Sequence, residues 1–195
     1  MTWASSVGKG SISIYYSATQ IAERAPGFDI TDVNVQQIPS ADTVTALQNN
    51  AIQCGILLDP LWLQVSQDPN YVMMATQTPG EPLGQISFGK NLLEDHPEVG
   101  EAFVRAYIRT INTYYNGDYH ANAEVMNEIA AQTGVTVERM TQVPSLTFDW
   151  EVREGTTDRA QQFFIKVGVI TQFTTPVAED KLVDRSFYLQ AVGAE

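Results

Sequence analysis

The stretch Ser40-Ala-Asp-Thr-Val-Thr-Ala-Leu-Gln-Asn-Asn-Ala-Ile-Gln-Cys-Gly-Ile-Leu-Leu-Asp-Pro-Leu-Trp62 decides the fold. Ser40 is a good N-cap, Asp42 suits the positive end of a helix dipole, and Val44 with Leu47 makes an apolar stripe at helical spacing. Asn49-Asn50 then stops the helix. Ala51, Ile52, Cys54, Ile56, Leu57 and Leu58 form an almost unbroken apolar run, the pattern of a strand covered on both faces, as in parallel sheets. Ligands of open α/β sheets bind outside the carboxyl ends of the strands, which is where Asp59, Pro60 and Trp62 fall.

Upstream, the pattern repeats. Ser11 can cap a helix from about Ile12 to Arg24, whose Ile14, Tyr15, Ala18, Ile21 and Ala22 recur at three-to-four spacing before Pro26-Gly27 ends it. Asp32 to Ile38 alternates and reads as a strand. Pro60 to Gln67 reads as a short helix, and Asp68-Pro69-Asn70 as a turn. Tyr71 to Thr76 and Gln85 to Gly89 are expected as a third and a fourth strand, separated by the breaker-rich loop Thr78-Pro79-Gly80-Glu81-Pro82. Strands and helices alternating at this spacing predict an α/β fold with a mainly parallel sheet and right-handed crossovers.

From Pro97 the chain turns helical. Val99, Phe103, Ala106-Tyr107, Ile111 and Tyr114 form a stripe closed by Asn116-Gly117. Further helices are expected over Asn122 to Thr133, ended by Gly134; from the Thr136 cap to Val143; over Asp158 to Val167, capped by Thr156 or Thr157 and ended by Gly168; and over Phe187 to Val192, capped by Ser186. The expected organisation is an α/β lobe over 1–90 and a helical region over 91–195.

Among 195 residues, 44% are hydrophobic and 17% charged, an ordinary globular composition. A net charge of −12 with only 11 scattered basic residues argues against nucleic acid or an anionic membrane as partner. No stretch reaches the ~18 apolar residues of a membrane span, and Met1-Thr-Trp-Ala-Ser-Ser lacks the basic start and apolar core of an export signal.

Chemistry-bearing residues are few. Gly8-Lys9-Gly10-Ser11 opening a helix can cradle an oxyanion through free backbone N–H groups and a hydroxyl, or can simply cap the helix. It is neither a P-loop nor a Gly-x-Gly-x-x-Gly turn. Asp59 and Trp62 can offer a ligand an acceptor and a stacking face; equally, Asp59 can cap the Pro60 helix and Trp62 pack on the sheet. His96 and His120 read as surface histidines without carboxylate or cysteine partners at ligand spacing, so no metal site is expected. Cys54, the single cysteine, reads as a small apolar residue of a buried strand. With no Gly-x-Ser-x-Gly elbow and no cysteine at a helix N-terminus, no catalytic residue and no cofactor are assigned. Phe148-Asp149-Trp150 reads as an aromatic anchor or a cleft lip.

These segments together resemble the solute-binding proteins of nitrate/sulfonate/taurine-type ABC importers, which share their fold with thiamine-pyrimidine precursor proteins. Gly10-Ser11 is similar to the Gly-Ser that opens the first helix of that family's second lobe, and Thr31-Asp-Val-Asn-Val to the strand that follows. Ala46-Leu-Gln-Asn-Asn-Ala-Ile-Gln-Cys, leading to Asp59-Pro-Leu-Trp62, resembles "Ala-Leu-x-x-Gly-x-Ile-Asp-Ala" followed by "Glu-Pro-Trp". His96-Pro-Glu-Val-Gly-Glu-Ala-Phe-Val-Arg-Ala-Tyr and Asp180-Lys-Leu-Val-Asp-Arg-Ser-Phe resemble two later motifs. Asn50 stands for the usual Gly, Gln53 for Asp, and Asp59 for the longer Glu.

The resemblance implies the second lobe of a type II periplasmic-binding-protein-like fold, with the first lobe and export signal absent from this chain. It implies capture of a small anionic or zwitterionic solute, without catalysis, for an ABC permease in the periplasm. The solute would lie against Gly10, Ser11, Ser13, Asp59 and Trp62, with Ser11 and the Gly10 amide on its anionic group, Asp59 accepting a hydrogen bond, and Trp62 over its apolar part. Surface normally facing the missing lobe predicts a homodimer. The same fold also hosts thiamine-pyrimidine precursor synthases and effector-sensing domains of transcription regulators.

Overall fold

The computed structural model describes residues 1–78, 80–148 and 151–193. Pro79 of the breaker-rich loop and Asp149-Trp150 of the expected aromatic anchor lie outside them. The chain runs through β1 (Thr2–Ser5), α1 (Ile12–Arg24), β2 (Asn34–Gln37), α2 (Ser40–Gln48), β3 (Cys54–Gly55), α3 (Pro97–Tyr114), α4 (Ala123–Thr133), α5 (Val137–Met140), α6 (Thr156–Lys166) and α7 (Ser186–Val192). It forms two compact units, residues 1–83 with 153–182, and residues 84–152 with the chain from Val183 on. The expected boundary near residue 90 is therefore displaced, and α6 returns to the first unit rather than continuing a separate helical half.

The first unit is α/β around a three-stranded parallel sheet of order β2-β1-β3. β1, unrecognised in the sequence, is the central strand. Its alternation is too brief to stand out, yet Trp3, Ala4 and Ser5 are all buried because a helix covers each face. Trp3 packs on Ile14, Ala18 and Ile21 of α1, with Phe28 stacked at 5.7 Å, whereas Ala4 packs on Leu47 and Ile52. The first crossover steps to one side of β1 and the second steps back past it. Connections of one hand then put α1 and α2 on opposite faces, as the two core clusters have it.

The apolar run after α2 is only partly a strand. Gln53 N donates to Thr2 O and Ile56 N to Ala4 O, but Ile52 alone in the run is fully buried and Leu58 is half exposed. β3 is an edge strand, limited by the four residues of β1 that it can pair with. Asn50 ends α2 as expected, at φ 56°, with Ala51 N donating back to Ala46 O. Asparagine tolerates the left-handed region there, with no more than a small cost.

Neither expected later strand joins a ladder among the described residues. Tyr71 to Thr76 instead lies along α1, held by helix side chains at i, i+4 and i+8. Arg24 Nη1 donates to Met74 O (2.8 Å), Gln20 Nε2 to Thr76 O (2.5 Å) while its Oε1 accepts from Thr76 N, and Tyr16 Oη donates to Pro82 O (2.6 Å). Val72, Met73 and Met74 consequently stay exposed, because this segment has a helix on one side and no sheet neighbour among the described residues. Glu81 closes it through Arg159 of α6 at 2.5 Å. Burial raises the Tyr16 phenol to about 12, aided by the Glu81 and Tyr15 charges and opposed by Arg159.

Helix starts differ from expectation by one or two residues in several places. α2 begins at Ser40 with Pro39 in the cap position, and α7 begins at Ser186, whose N–H donates to Asp184. α6 begins at Thr156 after Gly155, and its cap comes from a distant carboxylate: Glu179 Oε2 accepts from Gly155 N (3.0 Å) and Thr157 Oγ1 (3.1 Å). An anion at a helix N-terminus is favoured by the exposed N–H groups and the dipole. The Ser11 cap of α1, the Thr136 cap of α5 and left-handed Gly134 at the end of α4 stand as expected, whereas Asn122, expected as the first residue of α4, is its cap.

The second unit is helical. α3 packs on α7, with Phe88 edge-on to both Phe103 and Phe187. The buried side of α3 is Gly100, Ile108 and Ile111, while Val99, Phe103 and Tyr114 of the expected stripe remain exposed.

Candidate functional site

A parallel sheet gathers the carboxyl ends of its strands along one edge, so β1, β2 and β3 all exit there. β1 leaves through Ser5 and Ser6 into a 3-10 turn, Gly8–Gly10, that feeds α1. Gly8 takes φ 60°, which favours glycine. Ser11 N donates to Gly8 O at 3.2 Å, and the Ser11 hydroxyl accepts from Ser13 N at 3.2 Å. The cap leaves the Ser11 hydroxyl proton available to donate, and the first helical turn carries further N–H groups without intrahelical acceptors. Lys9 is exposed within the turn, the one cation of the Gly8–Ser11 stretch.

Ser5 adds a feature the sequence reading missed. It is 1% exposed, and its Oγ has no hydrogen-bond partner among the described residues. By strand alternation it shares the α1 face with Trp3, one step nearer the end where α1 begins. A buried hydroxyl without a partner costs about 1–3 kcal/mol, an unusual thing to keep at a strand end. Gln37, last residue of β2, ties the adjacent exit down by donating from Nε2 to Ser6 O (3.2 Å). Only a three-residue alternation, Trp3-Ala4-Ser5, could have signalled this centre.

At the β3 exit, Asp59 and Trp62 are bonded to each other, and Asp59 does not cap the turn that follows. The indole Nε1 donates to Asp59 Oδ1 at 2.5 Å, and Pro60 heads a 3-10 turn, Leu61–Gln64, without any side-chain cap. Asp59 is exposed and Trp62 partly so, the indole being oriented by its own neighbour. Gly10, Ser11 and Ser13 thus form one cluster and Asp59 with Trp62 a second. Both stand on the same sheet edge at adjacent strands, and no hydrogen bond joins them among the described residues.

Reactive groups are sparse here. Burial pushes the Cys54 thiol up, keeping it a poor nucleophile. Contrary to expectation, each histidine has a carboxylate beside it: His96 Nδ1 lies 3.5 Å from Glu98, and His120 Nδ1 lies 3.7 Å from Asp118. His120 is mostly buried against Tyr119, not a surface residue. No group of three His, Cys, Asp or Glu among the described residues could hold a metal ion. No described helix is long and apolar enough to cross a membrane. The arrangement can donate hydrogen bonds to an anion from one cluster and offer an acceptor and an indole from the other. No family model, no curated protein and no solved structure matches this chain.

Proposed function

We propose that the carboxyl edge of the β2-β1-β3 sheet holds a small anionic or zwitterionic solute, and that the chain serves as a lobe of a solute-binding protein of the nitrate/sulfonate/taurine importer type, in the type II periplasmic-binding arrangement. The observation that carries this is the start of α1, where a glycine turn, a Ser11 cap and a buried Ser5 hydroxyl without a partner meet at the end of the central strand. Backbone N–H groups, the helix dipole and Lys9 favour negative charge at that place. The adjoining Asp59–Trp62 pair suits a ligand with an amine or apolar part, as a zwitterion has. Delivery to an ABC permease follows from the motif resemblance.

The test is a thermal-shift and calorimetry panel of nitrate, taurine, alkanesulfonates and bicarbonate on this chain. The expected result is saturable stabilisation by at least one of them that falls about tenfold or more in affinity in Ser11→Ala, since a lost charge-assisted hydrogen bond is worth about 1.5–3 kcal/mol. No shift from any of them, or a shift unchanged by Ser11→Ala, overturns the proposal.

A further inference from the structure

A cavity of about 320 Å³ lies in the second unit, at the C-terminal end of α3. That volume is at the small end of ligand pockets and suits one ring rather than a chain. Asn112, Tyr115 and Asn116 line one wall at helical i, i+3, i+4 spacing, and Ser145, Thr147 and Phe148 line the other. The Tyr115 and Phe148 rings lie 4.8 Å apart, and Tyr119 completes the cluster at 5.7 and 5.8 Å. Tyr119 also fastens the second wall, its hydroxyl accepting from Leu146 N.

The polar lining is unspent. The Asn112, Asn116, Ser145 and Thr147 side chains make no hydrogen bond within the described residues, so two amides and two hydroxyls converge on one space with both donors and acceptors free. The one charged group of the lining is Asp118, held by accepting from His120 N at 3.0 Å; no lysine or arginine is among the lining residues. An anion would meet a carboxylate and no counter-charge there, in a chain already at −12. This separates the cavity from the anion-favouring edge of the first unit.

The geometry points to a binding site for a neutral, hydroxyl-rich ring of monosaccharide size. The C–H face of such a ring packs on Tyr115 and Phe148, and its hydroxyls, each donor and acceptor at once, meet the amides and hydroxyls around the rim. The site is independent of the proposed solute edge.

The experiment uses the whole chain, with saturation-transfer NMR and calorimetry on D-glucose, D-galactose, D-mannose and N-acetyl-D-glucosamine, and D-glucuronate as the charged control. At least one neutral sugar is expected to bind with a dissociation constant of order 1 mM, D-glucuronate about tenfold more weakly or not at all. Asn112→Ala and Asn116→Ala, both at exposed positions, and Tyr115→Leu are each expected to weaken binding about tenfold, while Ser11→Ala leaves it unchanged. Absence of binding up to about 50 mM, well beyond that expected constant, overturns the inference. So does equal affinity for D-glucuronate, or sugar binding untouched by both asparagine variants.

Discussion

Replacing Gly55 by Ala tests how closely α2 lies on the sheet. A Cβ built at Gly55 falls 2.5 Å from Thr43 Cγ2 and 3.0 Å from Leu47 Cδ1, where carbon atoms ordinarily sit about 3.5–4.0 Å apart. Neither neighbour has an easy retreat. Thr43 is fully buried, β-branched within a helix, and its Oγ1 donates to Pro39 O at 3.2 Å, so turning χ1 would break that bond. α2 must therefore lift from β3 by about 1 Å, and overpacking of this kind costs about 1–3 kcal/mol, partly offset by the entropy alanine saves in a strand. At about 2–4 °C per kcal/mol for a chain of this size, Gly55→Ala should lower the melting midpoint by a few degrees. The Ile56 amide, bonded to Ala4 O beside the overlap, should exchange faster with solvent. Thr43→Ser deletes the offending methyl and keeps the hydroxyl, so the double variant should recover about 1 kcal/mol relative to the sum of the single changes. A Gly55→Ala protein with an unchanged midpoint, or a double variant that is merely additive, would refute the close packing of α2 on β3.

Four further outcomes are expected. Tyr16→Phe removes the donor to Pro82 O and should cost about 1–2 kcal/mol, with faster proteolysis between residues 72 and 82; with the folded phenol raised to about 12, its stabilising share is complete below pH 10 and fades as pH climbs from 10 to 12, which a denaturation series across that range would show. Asp29 is held down at about 2 by hydrogen bonds from Lys166, then from the Thr31 N–H and hydroxyl, so its contribution is present above the ordinary carboxylate range and lost as pH falls from about 4 towards 2; Lys166→Met should raise its titration midpoint, read by carboxyl carbon NMR. Asn50→Gly should be neutral or slightly stabilising and Asn50→Val should cost about 1–2 kcal/mol by thermal melts, since only the first accepts φ 56°. With Val72, Met73 and Ile86 each more than half exposed, light scattering should find a homodimer at high concentration; a strictly monomeric species would refute that expectation.

How much of this was legible in the sequence depended on where the hydrogen bonds go. Helices announce themselves locally: Ser11, Asn122 and Gly134 sit beside the turns they finish, and α1, α3, α4 and α6 fall close to where periodicity predicts them. Sheet membership does not announce itself. Tyr71 to Thr76 has strand composition, yet Arg24 and Gln20, about fifty residues upstream, claim its backbone groups. The opposite failure befell Thr2–Ser5, four residues with too little alternation to notice, which become the central strand because α1 and α2 enclose them. At the candidate edge, Gly10, Ser11 and Ser13 were readable because capping is local. The bond between Asp59 and Trp62 and the stranded hydroxyl of Ser5 were not, since each depends on what the neighbouring chain leaves unsatisfied.

The three α1 side chains that hold the segment after Tyr71 also behave as a ruler. From Arg24 to Gln20 the helix rises about 6 Å, and two residues of extended chain, Met74 to Thr76, cover about 6.6 Å, so the two scales coincide. From Gln20 to Tyr16 the helix rises the same amount, but the chain spends six residues, Thr76 to Pro82, reaching the next mark. The surplus is taken up by a fold in which Glu81 N donates to Thr78 O and Gln77 Nε2 to Glu81 O. Length variation is thus confined to one interval. A residue added between 77 and 81 would enlarge the slack and leave the graduations aligned, whereas one added between 74 and 76 would move the Thr76 carbonyl off its mark.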